Sequence, residues 1–203
     1  MTTKIYHPPF TEKLNKHISS RINNNNTRYI KFYAVNPPLV PEKPFDIEVA
    51  KKGGYYNFPP TGSMYLCASI DSLMIKNIKT EVIDLNNTVL KLANEADNFE
   101  YKMWQLPLNG LSKNNLQLVF LVGYMFGTTK ECYVSTVKYI RKEYPNAVII
   151  TGGVQATFDK DEILDSHLVD ILCLNEGELQ LQYLAKVLNY LLNSPKGDSF
   201  FDP

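Results

Sequence analysis

Two hydrophobic patterns alternate along this chain and predict its secondary structure. Some segments, such as Leu118–Val122 and Ala147–Thr151, are apolar at nearly every position, which is typical of strands buried on both faces of a parallel sheet. Other segments, such as Lys130–Lys142, carry apolar residues at steps of three and four, which predicts amphipathic helices. The alternation of the two patterns indicates an α/β protein.

Strand and helix alternate about five times along the chain. The predicted strands are Arg28–Val35, Thr80–Leu85, Leu118–Val122, Ala147–Thr151 and Val169–Leu174. The predicted helices are Ser63–Asn77, Asn86–Glu95, Lys130–Lys142, Lys160–Ser166 and a last one entered from Asn175–Glu178. Short right-handed crossovers then give a Rossmann-like, doubly wound parallel sheet of about five strands with helices on both faces.

The ends of the chain have a different composition from its middle. Met1–Thr27 is polar, so we expect a loosely held arm, part of which can pack as a short helix at Glu12–Ile22. The main domain is expected at 28–193, and the tail at 194–203 resembles a linker between domains.

Two segments inside the domain have no clear period. The stretch Leu39–Gly62 is long for a connection in a compact domain, and such loops are usually functional or mobile. The segment that ends at Asn115 contains Trp104 and Pro107 and is either an insertion or an extra element at the edge of the sheet.

Charge and cysteine content exclude several functions. Lys and Arg number 21, as do Asp and Glu, so no bulk charge attracts nucleic acid or an anionic membrane. No apolar run approaches the roughly 20 residues that span a bilayer, and the first residues lack a signal-peptide core, so we expect a cytoplasmic protein. Three scattered cysteines form no CxxC or CxxxCxxC motif, which leaves no visible thiolate site for zinc or an iron–sulfur cluster.

Four predicted strands are followed by loops whose residues are suited to binding a ligand. These loops are Asn36–Pro38, Gly123–Thr129, Gly152–Thr157 and Asn175–Glu178. In a parallel sheet all four emerge at the carboxyl edge, where ligands bind. Glycine lets the backbone approach a ligand, and N–H groups at helix starts favour phosphate. The loops therefore predict a site for a large, flat, partly phosphorylated ligand.

Each loop also has a purely structural interpretation. Gly152 and Gly153 can form a tight turn after a strand, and Thr128 or Thr129 can cap the next helix. Acidic residues such as Glu176 are common where a helix begins. Neither GxGxxG nor GxxxxGK[ST] is present, so the usual dinucleotide and P-loop motifs are missing.

Six segments in order carry a more specific signal. They are NPP (Asn36–Pro38), FPPTGSMYL (Phe58–Leu66), IDLN (Ile83–Asn86), VGYMFGTT (Val122–Thr129), YPNAVIITGGVQAT (Tyr144–Thr157) and VDILCLNEGE (Val169–Glu178). This set resembles the N-terminal cobalamin-binding domain of cobalamin-dependent radical SAM enzymes. In that family a Rossmann-like domain holds cobalamin at the carboxyl edge of the sheet, with the dimethylbenzimidazole tail displaced from cobalt and buried in the domain.

The resemblance implies which residues contact cobalamin. Loops Gly123–Thr129 and Gly152–Thr157 would flank the tail, and Tyr124, Met125 or Phe126 would lie under or beside the corrin. The full implied set is Asn36, Pro37, Pro38, Gly123, Tyr124, Met125, Phe126, Gly127, Thr128, Thr129, Gly152, Gly153, Val154, Gln155, Ala156, Thr157, Asn175, Glu176 and Gly177. No catalytic residue and no metal ligand is implied on this chain.

Three departures from the family limit the expectation. The DxHxxG motif that supplies a histidine to cobalt in other cobalamin proteins is missing, so we expect base-off cobalamin without histidine ligation. Gln155 stands where relatives often have His. The CxxxCxxC motif of the radical SAM barrel is absent, so S-adenosylmethionine and the iron–sulfur cluster would reside in a missing domain or a partner protein.

The expected function is therefore a cobalamin-binding module without a complete active site, and the linker-like tail favours an N-terminal domain over a free-standing carrier. Methyl transfer is the commonest reaction in the family.

The sequence leaves two other functions open. A flavodoxin-like or receiver-like domain would bind a nucleotide or signal through a partner. A receiver, however, needs acidic residues at strand ends, where Asn36, Gly123 and Gly152 stand, and a flavodoxin needs a Ser/Thr-rich loop after the first strand. A ligand-free interaction domain would use Gly53–Tyr56 and Trp104 as an adhesive surface.

Overall fold

The protein is built on one parallel sheet of five strands. The computed structural model describes residues 16–21, 27–111 and 115–193. The strands are β1 (Tyr29–Asn36), β2 (Ile78–Asp84), β3 (Leu116–Gly123), β4 (Val148–Gly152) and β5 (Ile171–Cys173), and they lie in the order β2-β1-β3-β4-β5. Every neighbouring pair is parallel, which confirms the Rossmann-like α/β fold.

Helices connect the strands. They are α1 (Ile47–Lys51), α2 (Thr61–Asp71), α3 (Leu85–Glu95), α4 (Lys130–Glu143), α5 (Val154–Phe158), α6 (Lys160–Asp165) and α7 (Glu178–Asn193), with 3-10 helices at Tyr101–Leu108 and Gly127–Thr129. Residues 16–21 are also helical. Across the described ranges, none of these helices is long and apolar enough to span a bilayer.

The sheet is covered on both faces because its strands are apolar on both sides. Along β1, Tyr33 and Val35 pack with residues of α3 and α4, whereas Phe32 and Ala34 pack with residues of α2 and α7. We call these the α3/α4 face and the α2/α7 face. Central strand β3 is buried from Gln117 to Val122. The continuous apolar runs of the sequence thus mark the central strands, as predicted.

Several boundaries differ from the prediction. Helix α2 begins at Thr61 and ends at Asp71, several residues before the predicted end. The chain leaves the helix through a turn in which Met74 takes a left-handed φ of 54°, so the apolar spacing at Leu73 and Met74 does not mean helix. The short helix α5 was not predicted.

The segment before β3 is not an edge strand. It forms the 3-10 helix Tyr101–Leu108, whose Trp104 and Leu108 side chains are buried on the α3/α4 face. Of the two interpretations left open, the structure therefore supports an insertion, and it is an insertion that completes the core.

Residues 16–21 correct the picture of a loosely held arm. The predicted helix is confirmed there, and Ile18 is fully buried on the α2/α7 face. His17 Nε2 and Arg21 Nε lie 2.9 and 3.0 Å from Asp170 Oδ1. These contacts fix the segment to the sheet. The rest of the arm, except Thr27, and the predicted tail at 194–203 lie outside the described residues.

Candidate functional site

The order of the strands determines where the candidate site lies. All five strands end at the same edge, and the order β2-β1-β3-β4-β5 makes the connections reverse direction between β1 and β3. In open α/β sheets the crevice at such a reversal, outside the carboxyl ends of the strands, is where ligands bind. The four predicted loops all belong to this edge.

The loops after β3 and β4 form one unit. Tyr124 N donates to Gly152 O at 2.9 Å, and Ala156 N donates back to Tyr124 O at 3.3 Å. Gly153 has a φ of 115°, and a Cβ atom added there would lie 2.6 Å from Tyr124 O and 2.9 Å from Met125 Sδ. This close approach explains why position 153 is glycine, whether or not a ligand binds.

Tyr124 faces the core and not the edge. Its side chain is 1 % exposed, its ring stacks on Tyr133 with centroids 4.3 Å apart, and its hydroxyl donates to Asp159 Oδ2 at 2.8 Å. Burial and this hydrogen bond raise the pKa of Tyr124. In contrast, Met125 and Phe126 are 47 % and 57 % exposed. Of the three predicted corrin contacts, only these two side chains are therefore accessible.

The threonines that follow have separate roles. Thr128 is exposed, whereas Thr129 is buried and its hydroxyl donates to Phe126 O at 2.7 Å. Thr129 occupies the predicted N-cap position of α4 but makes no side-chain capping bond. Its hydroxyl instead closes the turn of the preceding 3-10 helix. At Gly127 an added Cβ would lie 3.4 Å from Gln155, which again brings the two loops together.

At the end of β1 the predicted contact residues are hydrogen-bonded or buried. Asn36 Nδ2 donates to Asp84 Oδ1 at the end of β2, at 2.8 Å. Asp84 also caps α3 by accepting from Asn87 N. Pro37 and Pro38 are buried, and proline has no N–H group to offer a phosphate.

The loop after β5 packs towards α2. Asn175 is exposed with a φ of 62°, and Glu176 is also exposed. Gly177 lies against Leu66, because an added Cβ would be 3.3 Å from its side chain. Glu178 occupies the first turn of α7, which agrees with a macrodipole role for that residue.

A cavity of about 220 Å³ lies behind the β3 and β4 loops, between α4 and α6. Tyr124 and Asp159 line its end near the loops, and Val137, Ile163 and Val169 line its interior. An apolar cavity of roughly 150 Å³ is enough to hold benzene. This cavity can therefore hold a small aromatic group next to the edge of the sheet.

Among the residues that the structure describes, metal ligands and nucleophiles are not gathered at this edge. Within the described ranges, no group of three or more His, Cys, Asp or Glu residues could hold a metal ion. All three cysteines are buried, and burial raises the pKa of Cys132 and Cys173 to about 11, so both thiols stay protonated near neutral pH. His17 bonds to Asp170, and His167 precedes β5, at the opposite edge.

Three residues that hold the site together were not predicted. Tyr133 on α4 stacks on Tyr124, and Asp159 accepts from both Tyr124 and Gln155. Asn86 at the start of α3 holds the long connection after β1. Asn86 belongs to the IDLN segment, but its role depends on contacts with residues distant in sequence, and no local pattern indicates them.

No protein-family model, curated protein or solved structure matches this chain. Its function must therefore be argued from the residues at the edge of the sheet.

Proposed function

We propose that this chain is the cobalamin-binding module of a cobalamin-dependent radical SAM enzyme, with methyl transfer as the reaction of the whole enzyme. The observation that carries the proposal is the joined pair of glycine loops beside the β1/β3 reversal, which exposes Met125, Phe126 and Val154. These loops lie within two of the six segments that resemble the family.

The exposed side chains fit a broad, flat ring. Corrin has large apolar faces and a rim of amide groups. Met125, Phe126 and Val154 offer an apolar surface to such a face, and the exposed Thr128 and Asn175 offer polar groups to amides. Binding sites for flat ligands commonly combine apolar walls with a few polar groups.

The cavity between α4 and α6 fits the displaced tail. A dimethylbenzimidazole group needs an apolar space for its ring, and the cavity of about 220 Å³ has Val137, Ile163 and Val169 in its wall. Its end at Tyr124 and Asp159 lies beside both glycine loops. The tail would therefore enter the domain next to the ring that the loops hold.

When bound, cobalamin supplies a cobalt centre that can carry a methyl group between two substrates. The residues of this chain bind and orient the cofactor, and Met125 and Phe126 exclude water from the surface they cover. S-adenosylmethionine and the iron–sulfur cluster would reside in another domain or in a partner protein. No histidine of this chain is assigned to cobalt.

Cobalamin retention tests the proposal. Purified protein is mixed with hydroxocobalamin or methylcobalamin and desalted, and its ultraviolet–visible spectrum is recorded. We expect a retained base-off spectrum, and at least tenfold weaker binding in Phe126→Glu, because the new charge would be desolvated against the ring. Leu106→Glu is the control, since Leu106 is similarly exposed but lies in the insertion before β3.

A folded wild-type protein that retains no cobalamin would refute the proposal. The flavodoxin-like alternative shares the strand order seen here. Its phosphate would need backbone N–H groups after β1, where Pro37 and Pro38 are buried, so cobalamin is the better supported ligand.

A further inference from the structure

The long connection between β1 and α2 crosses the carboxyl edge of the sheet. Its earlier part packs on the α3/α4 face through Phe45, Ala50 and Tyr55. The helix that follows packs on the opposite face, through Cys67 and Ile70. Residues 56–60 must therefore pass over the edge where the candidate site lies. We call residues 56–60 the crossing segment.

One buried amide fixes the position of the crossing segment. Asn86 is 3 % exposed, its Oδ1 accepts from Leu39 N at 3.0 Å, and its Nδ2 donates to Tyr56 O at 3.0 Å. It thus joins both ends of the long connection to the start of α3, directly after β2. Asn57 Nδ2 adds a bond to Asn87 Oδ1 at 3.1 Å. The crossing segment is therefore anchored at the β2 end of the edge.

The crossing segment presents two aromatic rings to solvent. Tyr56 and Phe58 are 65 % and 63 % exposed, and their ring centroids are 4.3 Å apart. Pro59 and Pro60 follow, and their fixed φ angles limit the freedom of the backbone. Neighbouring exposed aromatic rings on an anchored backbone are typical of a surface that contacts a ligand.

These rings lie across the edge from the glycine loops. In the sheet β1 separates β2 from β3, so the crossing segment and the loop after β3 stand on either side of the end of β1. Two strand spacings correspond to about 10 Å. The end of β1 lies between them, and Pro37 and Pro38 there are buried. The two surfaces are therefore separated by about the width of a flat multi-ring ligand.

We propose that Tyr56 and Phe58 form a second wall of the ligand site and contact the ring system of a flat conjugated ligand. Asn86 is the positioning residue that holds this wall in place. The inference rests on the proposed function for its ligand, cobalamin, but it adds a wall and a support that the resemblance did not assign.

Titrations of the full chain test the wall. Tyr56→Ala, Phe58→Ala and wild type are titrated with hydroxocobalamin by absorbance and, separately, with flavin mononucleotide by fluorescence. We expect the Kd for cobalamin to rise about tenfold in each variant, since an aromatic contact is lost. Tyr29→Ala is the control, because Tyr29 is a similarly exposed ring at the opposite end of β1.

A double variant tests the role of Asn86. If Asn86 acts through the wall, Asn86→Ala weakens binding about as much as Tyr56→Ala, and the double variant is no weaker than the worse single one. The amide of Leu39 should also exchange faster with solvent in Asn86→Ala, because it loses its acceptor. Full additivity of the two substitutions would overturn the positioning role.

The outcomes separate the two proposals. Wild-type affinity in both Tyr56→Ala and Phe58→Ala would overturn the second wall and leave the cobalamin proposal intact. A wild-type protein that binds flavin mononucleotide but no cobalamin would overturn the proposed function, and the wall would stand only if its variants weaken flavin binding. Binding of neither ligand would overturn both.

Discussion

Gly153 shows how one backbone position sets the geometry of the site. Its φ of 115° lies in a region that favours glycine, and it allows the β4 loop to touch the Tyr124 carbonyl. That contact holds the two glycine loops together and leaves Met125 and Phe126 at the surface. The residue therefore acts through the backbone even if no ligand touches it.

We expect Gly153→Ala to lower the free energy of unfolding by about 1–3 kcal/mol, because the new methyl group meets a carbonyl and the backbone is strained. Gly62→Ala is the matched control. A Cβ atom at Gly62 meets nothing within 4 Å, and alanine is favoured in helix α2, so stability should stay the same or rise by up to about 1 kcal/mol. Urea unfolding that gives equal midpoints for both variants would contradict this account.

At the scale of the element, strand β3 contributes to stability, whereas the loop after it contributes to the candidate site. Phe120 lies in the middle of the strand and is fully buried, and it contacts Tyr33 and Tyr144. Phe126 lies in the loop after the strand and is mostly exposed. The same residue type therefore serves the core at one position and the candidate site at the other.

Alanine substitutions should reveal this division. Phe120→Ala should lower the free energy of unfolding by about 3–5 kcal/mol through lost packing and a cavity. Phe126→Ala should change it by no more than about 0.5 kcal/mol, since an exposed ring loses few contacts, but it should weaken cobalamin binding. Unfolding curves and cobalamin titrations of the same samples would show both effects, and a large loss of stability in Phe126→Ala would be inconsistent with its exposure.

The element scale also shows what the sequence can predict. The strands β3 and β4 are recognisable because burial on both faces requires an uninterrupted apolar run. The 3-10 helix Tyr101–Leu108 has no such period, so only the structure shows how Trp104 and Leu108 enter the core. Strand β5 covers only Ile171–Cys173, and Asp170 just before it uses its side chain to bind Ile149 N and arginine side chains, which no local pattern indicates.

The candidate site could also be predicted only in part from the sequence. Parallel strands bring their carboxyl ends to one edge, so the location of the site follows from the alternation of strands and helices. The direction in which each side chain points does not follow from that alternation. Tyr124 turns inward because Tyr133 and Asp159 offer a stacking partner and an acceptor, and both come from other segments. The sequence alone does not show that Tyr124 is buried and Phe126 is exposed.

At the scale of the whole molecule, Asp170 binds three other parts of the chain: residues 16–21, α4 and β4. Its side chain is 2 % exposed and pairs with His17, Arg21 and Arg141, and Oδ2 also accepts from Ile149 N. Burial alone would raise the pKa of Asp170, but the hydrogen bonds from Ile149, Arg141 and His17 outweigh it and hold that pKa below its ordinary value. The carboxylate is therefore charged and fully satisfied.

Asp170→Asn should lower the free energy of unfolding by about 3 kcal/mol at pH 7, because the arginines lose their buried partner. A lowered pKa in the folded state means that the contribution of Asp170 is complete above the ordinary value of about 3.9 and is lost as pH falls through the lowered one. The difference between wild type and variant should thus be constant from pH 7 to about 5 and shrink below about 4.

Glu81→Gln is the control for this measurement. Glu81 pairs with Lys31 on the surface, at 2.9 Å, and is largely exposed, so its loss should cost at most about 0.5 kcal/mol. Urea unfolding at several pH values would compare the two substitutions. Similar losses in both would show that Asp170 contributes no more than a surface ion pair.

The contact between His17 and Asp170 spans 153 residues of sequence and therefore has a consequence for synthesis. At roughly 5–20 residues per second, the ribosome completes Asp170 on the order of ten seconds after His17. During that interval Ile18 has been made, but Arg21 and His17 have no carboxylate to bind. The helix at residues 16–21 therefore cannot make its contacts with Asp170 until most of the domain has been synthesised.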